Sequence, residues 1–243
     1  MKIAYDAQVF TFQAFGGISR YFCALAQEAS RQEDLQARII APLHINRFLA
    51  AQPRQLVTGR YVPDLPRTWR ARKTLNRLAQ PLLMAHYAPD LVHETYFSPK
   101  ATHRGSVPTV LTVYDMIHER FPESFAATDS TAARKAAAVA RADHIFCISE
   151  STRRDLLDYL GCPEERVSVT YLGCDRLPAP TIPATDLVGP RPYLLYVGAR
   201  DRYKNFDGLL RAYAASSMLR RELRLVCFGG GPLTAREQAL GAQ

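Results

Sequence analysis

Ala142-Asp143-His144-Ile145-Phe146-Cys147-Ile148-Ser149-Glu150-Ser151-Thr152-Arg153-Arg154-Asp155-Leu156-Leu157-Asp158-Tyr159-Leu160-Gly161 reads as a strand running straight into a helix. His144 to Ser149 is a short, mostly apolar run. A helix begins at Ser149, with Glu150 and Thr152 following, and runs to Leu160, where Gly161 stops it. The same alternation recurs upstream. Lys2 to Tyr5, Arg38 to Ala41, Asp90 to Glu94, Thr109 to Tyr114 and, downstream, Ser168 to Leu172 are further candidate strands. Most are continuous apolar runs, the mark of strands covered on both faces of a parallel sheet. A helix from Gly17 puts Ile18, Tyr21, Phe22, Leu25 and Ala29 on one face, and an alanine-rich helix spans about Ser130 to Ala142. Strands alternating with helices predict an α/β, doubly wound domain over residues 1–173.

Residues 174–191 interrupt that pattern. Five prolines fall in the stretch from Cys174 through Pro192, and none can continue a helix or a central strand. This stretch is the expected linker. The pattern then restarts over 192–243, with strands at Tyr193 to Val197 and Leu223 to Phe228, a helix at Asn205 to Ser216, and a last helical segment from Leu233. Roughly 50 residues cannot close a second doubly wound sheet, so this part is expected to be the beginning of a larger domain.

Bulk properties narrow the function classes. The chain has 243 residues, 47% of them hydrophobic and 22% charged, and a net charge of +8. No uncharged apolar run is long enough to span a bilayer, and the N-terminus lacks the features of a signal peptide, so a cytoplasmic protein is expected. Cysteines at 23, 147, 162, 174 and 227 show no Cys-x-x-Cys spacing, which argues against a zinc site; no metal or cofactor is expected. The positive charge is compatible with nucleic acid, an anionic membrane or an anionic small molecule. No nucleic-acid recognition module is visible.

Four places carry candidate chemistry. Phe15-Gly16-Gly17-Ile18-Ser19-Arg20-Tyr21 joins the first strand to the first helix, where a glycine turn and a helix N-terminus suit an anion; a plain tight turn is the alternative. Arg20 there opposes the helix dipole. Thr112-Val113-Tyr114-Asp115-Met116-Ile117-His118-Glu119-Arg120-Phe121-Pro122-Glu123 leaves a strand at its carboxyl end and delivers Asp115, His118 and Glu119; the alternative is a solvated loop capped by Asp115. Tyr196-Val197-Gly198-Ala199-Arg200-Asp201-Arg202-Tyr203-Lys204-Asn205-Phe206 places Arg200 and Lys204 at a strand-to-helix junction, where they could clamp a diphosphate. Phe228-Gly229-Gly230-Gly231-Pro232 allows close backbone approach to a ligand. Separately, Arg67, Arg70, Arg72, Lys73 and Arg77 lie on a predicted helix beside a stripe of Leu75, Leu78 and Leu82, with Trp69 off the stripe. Either that helix packs its leucines into the core or it rests on an anionic membrane, which would make the protein peripheral at the inner membrane face.

In order along the chain, Phe-Gly-Gly-Ile-x-Arg-Tyr at 15–21, Val-Tyr-Asp-Met-Ile-His-Glu-Arg-Phe-Pro at 113–122, Ala-Asp-His-Ile-Phe-Cys-Ile-Ser-Glu-Ser-Thr-Arg-Arg-Asp-Leu at 142–156 and Val-Gly-Ala-Arg-x-x-Tyr-Lys-Asn-Phe at 197–206 resemble family 4 glycosyltransferases, especially bacterial mannosyltransferase-like members. The resemblance implies a GT-B architecture with two Rossmann-like domains: an acceptor-side domain at 1–173 and the start of a donor-binding domain at 192–243. It implies metal-independent, configuration-retaining transfer of a hexose from a nucleotide-diphosphate sugar, GDP-mannose as the first candidate, to a glycan or lipid-linked acceptor in polysaccharide biosynthesis. Carried over, Arg200 and Lys204 become the diphosphate clamp, Gly16 and Gly17 approach the phosphates or the sugar, and Asp115 and His118 meet the sugar and acceptor as the catalytic pair. Arg20, Tyr114, Ser149 and Gly230 are further candidate substrate contacts. Many relatives have His-Asp where this chain has Tyr114-Asp115, which leaves the histidine's role to Tyr114 or His118, or lost. The family's pair of donor-domain glutamates would lie beyond Gln243, so the resemblance implies a truncated C-terminal domain. A sugar-nucleotide 2-epimerase and an inactive fragment or binding module are the competing readings.

Overall fold

The apolar runs become strands because each is covered on both sides. All five residues of β5 (Thr109–Val113) are buried, and Ile39, Ile40, Leu111 and Ile145 have no exposed surface. Burying each such side chain contributes about 1.5–3 kcal/mol. The structure, a computed structural model, describes residues 1–174, 187–200 and 202–241. It divides into two units, Met1–Arg120 with Ala127–Gly173 and Phe121–Ala126 with Cys174–Gln243. Of the linker expected at 174–191, residues 175–186 lie outside the described residues.

Unit 1 is an α/β fold on seven parallel strands: β1 (Lys2–Tyr5), β2 (Gln36–His44), β3 (Val57–Tyr61), β4 (Leu91–Glu94), β5, β6 (His144–Cys147) and β7 (Val167–Val169). Their order is β3-β2-β1-β4-β5-β6-β7, so the winding reverses between β1 and β4. The helices are α1 (Gln8–Phe12), α2 (Gly17–Ala29), α3 (Arg47–Ala50), α4 (Trp69–Tyr87), α5 (Ile117–Arg120), α6 (Thr131–Arg141) and α7 (Glu150–Leu160). Phe22, Cys23 and Ala26 of α2 enter one core cluster with Ile39 and Ala41 of β2. Ala138 and Val139 of α6 join Leu111, Ile145 and Leu156 in another.

Two differences from the sequence reading are informative. β2 is longer than expected, and its neighbour β3 was not anticipated because Gly59 and Arg60 break its apolar run. Glycine is required at 59: its φ is +156°, and a Cβ there would lie 1.7 Å from the Ala41 carbonyl oxygen. The larger difference is α4. Three of its leucines stay outside the core, while Leu83 packs against the cluster of Ala4, Ile40, Met84 and Val92. Leu75, Leu78 and Leu82 are 53%, 66% and 62% exposed, while Arg72, Asn76, Gln80 and Met84 face inward. The inward face is polar because it meets unpaired backbone. The Asn76 side chain accepts from Leu43 N (2.8 Å) and donates to Leu43 O (2.7 Å), at the irregularity in β2 after Ala41. Gln80 accepts from Ala7 N, and Arg72 pairs with Asp64 at 3.2 Å. Buried backbone groups left without partners would each cost about 1–3 kcal/mol.

Unit 2 holds β8 (Tyr193–Val197) and β9 (Arg224–Phe228), paired in parallel, with α8 (Phe206–Ala215), α9 (Ser217–Glu222) and α10 (Ala235–Gly241). Phe206, Leu210 and Ala214 of α8 are buried, whereas Leu195, Val197 and Phe228 on the strands are exposed. The last helix starts at Ala235, not Leu233, because Thr234 caps it: Thr234 Oγ1 accepts from Glu237 N, and the Glu237 carboxylate accepts from Thr234 N at 2.6 Å. No helix among the described residues is long and apolar enough to cross a membrane. The five cysteines are free thiols, and burial pushes Cys23 and Cys147 up to about 12.

Candidate active site

Open parallel sheets take ligands outside the carboxyl ends of their strands, at the point where the winding reverses. In unit 1 that point lies between β1 and β4, and two acids leave the strands there. Asp6, fully buried, accepts from Thr95 N (2.9 Å), Thr95 Oγ1 (2.6 Å) and Gln8 N (3.2 Å) on one oxygen and from Gln8 Nε2 (2.7 Å) on the other. Burial pushes its pKa up against those hydrogen bonds. The Glu94 side chain is 1% exposed and pairs with Arg141 at 2.5 Å. Burial, then the charge of Asp6, pushes Glu94 up to about 7, with Arg141 opposing. Neither acid was singled out from sequence, although each closes a buried strand.

α2 starts at Gly17, and its N-cap, Gly16, supplies no side-chain hydrogen bond to the first turn. Gly16 is extended, with φ 178°. A Cβ on Gly17 would meet nothing within 4 Å, so packing inside the unit does not demand glycine there. An uncapped helix N-terminus is suited to an anion, and the Gln13 side chain lies close against Gly16. Arg20 is exposed on this first turn. Tyr21, next on α2, meets Tyr114 edge to face at 6.1 Å, tying the turn to the end of β5.

Tyr114 is held well above the ordinary tyrosine range by burial, and its buried hydroxyl has no hydrogen-bond partner among the described residues. It therefore remains a neutral donor. Asp115 caps α5, accepting from Ile117 N at 3.2 Å, yet its side chain is 46% exposed. The His118 Nε2 atom sits 3.9 Å from Asp129 Oδ2. Glu119 is committed to a lysine: its carboxylate takes Lys135 Nζ at 2.7 Å, and both side chains are buried. Lys135 also donates to the Asp115 carbonyl at 2.9 Å. A buried lysine on α6 thus pins the loop that carries Asp115 and His118. Arg141, at the end of the same helix, holds Glu94. Ser149 is the α7 N-cap, accepting from Thr152 N at 3.1 Å, and Thr152 in turn donates to the Tyr114 carbonyl. The cap uses one lone pair of the Ser149 hydroxyl and ties it to the end of β5.

In unit 2 the loops after β8 and β9 are fastened to each other. The five N–H donors of Arg200 all find partners: Nε donates to Glu237 (2.8 Å), Nη1 to the carbonyls of Gly229 (2.8 Å) and Gly231 (3.1 Å), and Nη2 to those of Gly230 (3.0 Å) and Pro232 (2.7 Å). Arg200 therefore does not present a free guanidinium in this structure; it gathers the glycine turn. That turn needs glycine, with φ values of +94°, +71° and +74° at 229, 230 and 231, and a Cβ on Gly230 would fall 2.8 Å from Arg200 Nη1. Lys204 is exposed, with its Nζ 5.6 Å from the Tyr203 ring centroid. Unit 1 thus carries Gly16, Gly17, Arg20, Tyr114, Asp115 and His118, with the Tyr21–Tyr114 ring contact joining α2 to the end of β5, and unit 2 joins Arg200 to Gly230 and carries Lys204 exposed.

A profile described as Glycosyltransferase Family 4 matches residues 15–176. Comparison with curated protein sequences finds no match. Among solved structures, the chain resembles WaaG, a glycosyltransferase involved in lipopolysaccharide biosynthesis, at TM-score 0.61 and 17% identity over 99% of this chain and 66% of that one. It also resembles MnaA of S. aureus, solved with UDP, at TM-score 0.55 and 13% identity over 100% of this chain and 66% of that one. A third is the UDP-GlcNAc 2-epimerase of Neisseria meningitidis bound to UDP-GlcNAc, at TM-score 0.53 and 10% identity over 100% of this chain and 70% of that one. At these identities the likeness is one of fold, a GT-B architecture, and the chain spans about two thirds of the length of these structures.

Proposed function

The chain belongs to glycosyltransferase family 4, and we propose that it is part of a retaining transferase moving a hexose from a nucleotide-diphosphate sugar to an acceptor hydroxyl. The observation that carries this reading is the family match over 15–176, which takes in every unit 1 site residue from Gly16 to Ser149. Our first candidate for the donor is GDP-mannose. For the acceptor it is a glycan or lipid-linked sugar in polysaccharide biosynthesis, with the reaction in the cytoplasm.

In this reading the uncapped start of α2 and Gly17 meet the anionic part of the donor or its sugar. The departing diphosphate is offset by fixed cations, with no metal required. Lys204 supplies the exposed charge, and Arg200 acts through the turn it gathers. Asp115 and His118 stand at the reacting hydroxyls, and Tyr114, where many relatives carry histidine, backs them from its buried place at the end of β5. The acceptor attacks from the face the diphosphate leaves. Incubation with radiolabelled GDP-mannose or UDP-glucose and a lipid-linked acceptor extract tests the proposal. Label appearing in the acceptor supports it. An epimerised nucleotide sugar formed without acceptor would instead establish epimerase chemistry. Absence of both label transfer and calorimetric donor binding would make the chain a fold without the activity.

A further inference from the structure

We propose that segment 98–107, between β4 and β5, is a proton-operated cover over Glu94, closed on the neutral carboxyl and lifted when Glu94 ionises. The first ground is a charge count. Two carboxyl groups are buried where β1 and β4 end, Asp6 at 0% and Glu94 at 1% exposure. Arg141, on Glu94, is the one cation paired with either among the described residues. Asp6 engages both oxygens with donors on Thr95 and Gln8. Glu94 has one well-formed partner: Oε2 accepts from Arg141 Nη2, while Oε1 is buried without one. A second negative charge beside Asp6 is therefore poorly compensated, and a proton on Glu94 relieves it. Burial, then the charge of Asp6, raises the carboxyl to about 7, against Arg141 and the Thr102 backbone N–H.

The second ground is how lightly the cover is held. Residues 99–101 and 104–106 are exposed, and none of 98–106 enters a core cluster. Its ties are polar. Arg141 donates to the Ser98 carbonyl at 3.2 and 3.1 Å, and His103 Nε2 stands 3.5 Å from Thr109 Oγ1. Thr102 Oγ1, His103 Nδ1 and Arg141 Nε are buried without partners, so lifting the segment hands three further groups to water. A segment with so few apolar contacts opens more readily than its unit unfolds. Covered, Glu94 keeps its proton up to about 7; in water it returns to 4.5, so opening gains as pH rises through 7. His103 works the other way. Burial lowers its pKa, with Arg141, Asp6 and Asp143 as the charges around it, so opening also gains where water would protonate it, below 6.5. Asp6, pushed up by burial too, stays covered in both states, because Thr95 holds it and precedes the segment. Lifting bares Glu94 and Arg141 at the carboxyl edge of the sheet, where open sheets take ligands. The inference stands apart from the transferase reading, because opening requires no substrate.

Hydrogen exchange at the Thr102 amide, which leans on Glu94, reads the opening by nuclear magnetic resonance. The variant H103Q removes the acid-side contribution. After correction for the intrinsic rise of exchange with pH, its opening should increase about 30-fold between pH ~5.5 and ~8.5, the ratio that values of about 7 covered and 4.5 in water impose. Wild type should show the alkaline rise together with an acid-side one. E94Q, neutral at every pH, should keep its circular dichroism and lose the alkaline rise. In all three proteins the β5 amides should exchange far more slowly than Thr102. An alkaline rise that persists in E94Q would overturn the proposal. So would corrected exchange that stays flat on the alkaline side in wild type and H103Q, or a Thr102 amide that exchanges no faster than those of β5. Wild type and H103Q decide the matter even where E94Q does not fold.

Discussion

Replacing Lys135 by methionine leaves a carboxylate stranded. The lysine side chain is 1% exposed and that of Glu119 is 8% exposed, and their atoms meet at 2.7 Å. Lys135 Nζ also donates to the Asp115 carbonyl at 2.9 Å and lies 5.4 Å from the centre of the Phe97 ring. Methionine keeps most of the volume but supplies no donor. Glu119 must then remain charged in an apolar site or take up a proton, and removing one partner of a buried pair typically costs about 3–5 kcal/mol. Losing the bond to the Asp115 carbonyl adds about 1 kcal/mol. Against a total stability of about 5–15 kcal/mol, that is a large fraction. Urea unfolding followed by circular dichroism should show the midpoint falling by about 1–2 M for K135M. The double variant K135M/E119L should recover much of the loss, because two apolar groups of matching size replace the pair. A loss below about 1 kcal/mol in K135M would refute the assignment, as would a double variant whose loss equals the sum of the K135M and E119L losses, since the cycle would then show no coupling between the two residues.

Three further outcomes follow from the same geometry. Glu94, raised from 4.5 to about 7, keeps its proton in the folded state over a range where the unfolded chain has lost it, so stability is greatest below about pH 4.5 on this account and falls as pH rises through 7. The loss amounts to about 3 kcal/mol, and E94Q should flatten the pH dependence of the unfolding midpoint between those values. G230A forces a Cβ onto a backbone at φ +71° and against Arg200, and should destabilise unit 2 by about 1–3 kcal/mol in thermal unfolding. K204Q removes an exposed cation and should weaken donor binding, measured by calorimetry, by about 10- to 100-fold, leaving the unfolding midpoint unchanged.

Much of this architecture is written locally. The apolar runs around Leu111 and Ile145 could only be strands covered on two faces, and Ser149 and Gly161 bracket a helix by capping chemistry that needs no tertiary information. What local pattern could not supply is direction and distance. The leucine stripe of α4 is plain in the sequence, but which way it turns depends on Asn76 finding the backbone of Leu43, 33 residues away. Lys135 lies at helical spacing from Ala138 and Val139, which places it on the buried face; its partners are on a loop that only the fold brings near. Arg200 was legible as a cation at a strand-to-helix junction. Its commitment to carbonyls 29 to 32 residues later was not, because backbone acceptors carry no sequence signature.

The two strands of unit 2 have a consequence for how the chain opens and closes in time. β5 sits mid-sheet with every residue buried, so its amides exchange with solvent only when the whole of unit 1 comes apart. β8 and β9 have one ladder between them and exposed Leu195, Val197 and Phe228 alongside it. Their amides should exchange through small, local excursions many times before β5 exchanges once. The Arg200 grip on the glycine turn then acts as a latch on that motion: it closes the end of the ladder where both strands finish, and sets how long the turn keeps one shape between openings.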